Sequence, residues 1–132
     1  MTEPLRQFVR ERAQFRCEYC RMPERLLPYH RFEADHIRPE KFGGSTSEEN
    51  LAWACLSCNR HKGPLVAGHD PDSSELVRLF NPRCDAWETH FEYRAPNIVG
   101  RTAIGRVTAW ALEMNSPDYI ELRAALGELF VS

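Results

Sequence analysis

The chain has 132 residues, 42% of them hydrophobic and 27% charged, and a net charge of −2. That size and mix suit one compact globular domain, and no apolar run reaches the length a bilayer requires. The slight acidity argues against a general nucleic-acid coat protein, and the charged opening MTEPLRQFVRER lacks the apolar stretch of a signal peptide, so a reducing, cytoplasmic setting is expected.

In chain order, EPLRQFVRERAQF predicts a helix over 3–15, with Pro4 in its first turn and Leu5, Phe8, Val9 and Phe15 on one face. CEYC at 17–20 interrupts it. YHRFEADHI (29–37) alternates as a strand, with Phe32, Ala34 and His36 on one side. Pro39, Gly43 and Gly44 mark a loop, after which NLAWAC predicts a second strand with Leu51 and Trp53 alternating. CNRHKG, with Asn59 opening it, predicts a short helix that Gly63-Pro64 ends. Beyond it, 65–75 reads as a loop, LVRLF as a strand, DAWETHF as a helical turn, and FEY with NIVG as a hairpin. Two helices follow. Ile104, Val107, Ala111 and Met114 set the face of the first; Ser116 and Pro117 start the second, whose face is Tyr119, Leu122, Leu126 and Leu129.

Residues 1–41 hold nine of the 17 Lys and Arg: Arg6, Arg10, Arg12, Arg16, Arg21, Arg25, Arg31, Arg38 and Lys41. Acids are interleaved with them. Part of the set facing a polyanion and a plain solvated surface are both open.

Cys17 and Cys20 form one C-x-x-C pair, Cys55 and Cys58 another. Two such knuckles separated by a strand–loop–strand segment match the spacing of a structural zinc site, in which four thiolates close a tetrahedron around the ion. A thioredoxin-like redox pair would need a βαβ setting, which the pattern lacks. Cys84 is left over as a small buried or surface thiol.

Between the knuckles lies EADHIRPEKFGGSTSEENLAWACLSCNRHKG. A hydrolytic site needs an activated water and help for the departing group. The imidazole of His36 suits a general base. Asp35 and Asn59 offer hard oxygens, which suit Mg²⁺ or Mn²⁺ better than a second zinc. Lys62 is a candidate phosphate contact, Arg60 and His61 are candidate donors, and Arg38 is a candidate for the nucleic-acid backbone. His30, His69 and His90 read as ordinary surface or packed residues.

The order Asp35-His36, Asn50, Cys55-x-x-Cys58-Asn59-x-x-Lys62 resembles the HNH endonuclease family over residues 17–63. The resemblance implies an α+β chain with a ββα-metal core (17–63) stapled by zinc, flanked by helices, with 64–132 as a supporting helical and hairpin extension of the same domain. It implies a metal-dependent endonuclease on nucleic acid, DNA first, leaving 5′-phosphate and 3′-hydroxyl ends. It also implies that Asn50 bonds across the strand–strand loop and fixes the backbone around His36. Many family members carry His where Asp35 and Asn59 stand; the arrangement here is similar to the HNH domain of CRISPR effector nucleases. The alternative is a zinc-containing nucleic-acid-binding module without catalysis.

Overall fold

The computed structural model describes residues 1–132. The first helix, α1 (Glu3–Arg12), starts at Thr2, whose hydroxyl accepts from the Leu5 amide at 3.2 Å. It stops three residues short of the predicted end, because Gln14 and Phe15 both take left-handed backbone (φ 55° and 59°). The chain reverses there into the first cysteine knuckle. The predicted apolar face is correspondingly narrower. Val9 is fully buried, but Phe8 and Phe15 lie exposed, each under an arginine guanidinium, Arg12 at 5.2 Å and Arg10 at 4.9 Å.

A two-stranded antiparallel sheet follows, β1 (Glu33–His36) and β2 (Leu51–Ala54), in the register Asp35 opposite Ala52 and His36 opposite Leu51. The first strand is shorter than predicted: Tyr29, His30 and Arg31 are exposed and irregular. The second does not alternate. All four of its residues are buried, so neighbouring elements cover both of its faces. The chain then enters α2 (Leu56–Lys62), capped by the Cys55 sulfur, which accepts from the Cys58 amide. Asn59 therefore sits inside this helix and does not open it. Gly63, at φ 48°, ends it as predicted.

The loop between β1 and β2 is held by close backbone approach. A Cβ on Gly44 would lie 1.7 Å from the Arg38 carbonyl oxygen and 2.8 Å from Asn50 Nδ2. Gly44→Ala is expected to destabilise the fold by about 1–3 kcal/mol through this overpacking, read as a fall in thermal midpoint with zinc content unchanged.

After α2, residues 65–75 are not wholly loop: β3 (Ala67–His69) pairs with β4 (Leu76–Arg78). The strand signal was hidden by Gly68, whose missing side chain leaves room for Val107. A helical turn, α3 (Trp87–His90), leads into the predicted hairpin, β5 (Phe91–Arg94) with β6 (Asn97–Gly100). Helix α4 (Ala103–Ala111), capped by Thr102, packs on β6, β3 and β4. Helix α5 (Pro117–Leu126) is capped by Ser116 as predicted, and a short α6 (Glu128–Val131) follows. The break at Gly127 (φ 55°) turns Leu129 outward and brings Phe130 into the core instead.

One cluster of 23 buried residues runs from Val9 through the knuckles and β2 to Phe130. It joins the segment before Gly63 to the segment after it. No helix is long and apolar enough to cross a membrane.

Candidate metal centre and hydrolytic cleft

The two knuckles meet. The sulfurs of Cys17, Cys20, Cys55 and Cys58 lie within 4.8 Å of one another, and all four residues are buried. In each knuckle the amide of the second cysteine donates to the sulfur of the first, at 3.4 Å. Four thiols in so small a space compete for protons. Hydrogen bonds from Cys17 and its neighbours pull Cys55 well below its ordinary range, while Cys20 and Cys58 are pushed well above theirs, Cys17 being the largest cause in each case. A soft dication bound by four thiolates removes that conflict, and the closed all-sulfur set fits zinc in a structural role. Cys84 is exposed and apart from the cluster.

Two groups from the far end of the chain back this site. The Tyr119 hydroxyl donates to Cys55 Sγ at 3.3 Å. Arg123, fully buried, donates to the carbonyls of Pro96 and Met114 and to Asn115 Oδ1, and has no carboxylate partner. Burial lowers the basicity of its guanidinium, and the charge of Cys20 and Cys58 opposes that fall. Tyr119→Phe is expected to weaken zinc binding by roughly 10-fold, as outer-shell donors do, measured by chelator competition.

The second site lies at the end of β1. Asp35, His36 and Asn59 line one cleft of about 270 Å³, together with Glu40. Adjacent strand residues point to opposite faces, and here each meets different partners. Asp35 turns inward. Its Oδ2 accepts from the Tyr19 hydroxyl at 2.9 Å and from Lys62 Nζ at 3.0 Å, while Oδ1 has only a 3.4 Å contact with the same ammonium. Burial pushes the Asp35 carboxyl up, against the pull of the Lys62 charge and the two hydrogen bonds. Burial, reinforced by the Asp35 charge, raises Tyr19 well above its ordinary value. His36 turns outward, with Nε2 2.9 Å from Thr46 Oγ1 and 3.6 Å from Glu40 Oε1.

Asn50 closes the loop between them. Its Oδ1 accepts from the Arg38 amide at 2.9 Å, and its Nδ2 donates to the carbonyls of Arg38 (2.9 Å) and Ser45 (2.8 Å). Its own carbonyl accepts from the Ile37 amide. One carboxamide thus fixes the backbone immediately after His36.

The remaining candidates are spread more widely. Lys62 is 1% exposed and bonds Asp35 and the His36 carbonyl, so its ammonium faces the interior and no surface phosphate. His61 bonds the Ser57 carbonyl and Glu113, tying α2 to the end of α4. Arg60 and Arg38 are exposed, the latter reaching back to the Gly43 carbonyl. Sequence reasoning missed Tyr19, Thr46 and Tyr119. Tyr19 carried a signal, its place inside the first C-x-x-C; the other two had none.

Two strands and a short helix, pinned at both ends by four sulfurs with a carboxylate, an imidazole and a carboxamide on one cleft, form a ββα unit whose four-cysteine staple is compatible with structural zinc. Residues 17–65 match the family model described as HNH endonuclease. Neither the curated proteins nor the solved structures include a match.

Proposed function

We propose that the protein is a metal-dependent endonuclease that hydrolyses DNA phosphodiester bonds at the cleft of Asp35, His36 and Asn59. The observation that carries the reading is the convergence of these three side chains on one small, partly open cleft inside an HNH domain. The donor set fits a hard divalent ion on its chemistry. Asp35 Oδ1 has only a long contact, and the Asn59 carboxamide brings a second oxygen to the same cleft. A Mg²⁺ or Mn²⁺ ion there supplies positive charge to the phosphate and the leaving 3′ oxygen.

The chain's own groups do the rest. In the His36 tautomer whose Nε2–H donates to Thr46, Nδ1 holds the lone pair that takes the proton from water. Asn50 holds the backbone on which that imidazole is mounted. Lys62 balances the charge of the buried Asp35, a role different from the phosphate contact read from its spacing. Arg38 and Arg60, both exposed, remain the candidates for the nucleic-acid backbone. Residues 64–132 buttress the core as part of the same domain, and a reducing, cytoplasmic setting suits a zinc site built from four thiolates.

One observation favours a second reading. Lys62 and Tyr19 already satisfy Asp35 without a divalent ion, as a zinc-containing binding module without catalysis would have it. Supercoiled plasmid separates the two. The nuclease nicks it in Mg²⁺ or Mn²⁺ and not in their absence. Folded, zinc-loaded protein that binds DNA and leaves the plasmid intact in both metals is the module.

A further inference from the structure

A groove of about 710 Å³ runs along α1 and the turns on either side of residue 25, away from the hydrolytic cleft. Five arginines line it, Arg6, Arg10, Arg16, Arg25 and Arg31, against a single acid, Glu24. Glu24 is spent on Arg10, in a two-pronged pair at 2.5 and 2.9 Å, and Arg31 reaches Glu33 at 2.7 Å. The other three have no side-chain carboxylate. Arg6 donates to the Phe32 carbonyl and lies over the Trp53 ring at 4.7 Å, with its Nε buried and without an acceptor. Arg16 reaches the carbonyls of Arg21 and Phe130 and the backbone oxygen of Ser132, and Arg25 has one long contact, 3.4 Å, to the Leu129 carbonyl. Carbonyl bonds hold a guanidinium in place without cancelling its charge.

Like charges gathered this closely repel. Burial lowers Arg16, and the neighbouring Arg25 and Arg21 lower it further. No acidic side chain offsets that repulsion at Arg16, whereas an anion would, and a guanidinium fork matches phosphate oxygens. Phe15, in the groove, and Tyr29, 97% exposed between two lining residues, add aromatic faces against which bases stack. Phe32, immediately before β1, lines the groove, and His36, its last residue, lines the cleft. At about 3.3 Å per residue they stand roughly 13 Å apart, the span of about four phosphates on one strand.

We propose that this arginine groove is a second nucleic-acid contact, holding the phosphate backbone of the same strand several nucleotides from the scissile bond. The proposal rests on nucleic acid being the substrate. Its test uses the full chain in a His36→Ala background, so that bound DNA stays uncut, and a 20-base-pair duplex together with its single strand. Arg6→Gln with Arg25→Gln is expected to lower affinity about 10-fold near 0.1 M salt. It should also flatten the slope of log affinity against log salt by about 2, one for each phosphate released. Arg6→Lys with Arg25→Lys keeps both charges and should keep the slope. An unchanged slope in the Gln variant overturns the groove, even if its thermal midpoint falls, since a purely packing role moves stability and not counterion release. Wild-type nicking with an unchanged slope removes the groove alone; a wild type that neither nicks nor binds removes the substrate reading and the groove with it.

Discussion

Stripping the metal from the four-cysteine site is expected to unfold the whole chain, extension included. Structural zinc contributes on the order of 10–16 kcal/mol to folding in small domains, as much as or more than the roughly 5–15 kcal/mol of net stability such a domain has. Here the sulfurs lie inside the one contiguous cluster of buried residues, so their loss cannot be confined to the ββα unit. Trp87 Nε1 donates to the Tyr19 carbonyl within the first knuckle, and Tyr119 donates to Cys55 in the second. A strong chelator should release one zinc per chain and abolish far-ultraviolet circular dichroism of both halves in one transition. Cys58→Ser should behave as the chelated protein does. Zinc release that leaves a cooperative thermal transition in place would show that the four sulfurs are not the staple.

His36→Ala is the second large effect, and it falls on rate alone. The imidazole is 23% exposed, and its contacts are with Thr46 and Glu40 at the rim of the cleft, so its removal leaves no buried group unpaired. Nicking should fall by about a hundred- to ten-thousand-fold, the range that positioned general bases contribute, while zinc content and thermal midpoint stay at wild-type values. Asn50→Ala provides the contrast. It frees three hydrogen bonds around the Arg38 and Ser45 backbone, so both rate and stability should drop together. Equal nicking by wild type and His36→Ala would rule out His36 as the base.

The sequence made the core legible because its chemistry is local and punctuated. The C-x-x-C spacing, the loop glycines and the Ser116-Pro117 start each depend on a few adjacent residues, and each lies in the structure where it was expected. Residues whose surroundings come from afar were not legible. Lys62 looked like a surface cation at the end of a helix, yet α2 docks against β1 and carries its ammonium onto Asp35. Phe8 and Phe15 looked like core, but the left-handed residues at 14 and 15 turned the chain before a second face could cover them. The regular face expected through Leu129 failed at one backbone angle, that of Gly127. For the cleft, the identities of Asp35, His36, Asn50 and Asn59 could be read, while the partners that orient them, Tyr19 and Thr46, needed the folded chain.

Arg123 carries a consequence for how the two halves of the chain depend on each other. Four thiolates around Zn²⁺ leave a net charge of about −2 in the interior. Helix α5 brings a cation without a carboxylate, and a hydroxyl bonded to one of the sulfurs, to the edge of that charge. Thermodynamic linkage then makes the dependence reciprocal. Whatever factor the docked helix adds to metal affinity, the bound metal adds to the equilibrium for docking the helix. A substitution that merely loosens α5, such as Pro117→Gly in its first turn, would therefore be read out as faster zinc loss, and cadmium or cobalt in place of zinc would be read out as a change in the order of the last 20 or so residues.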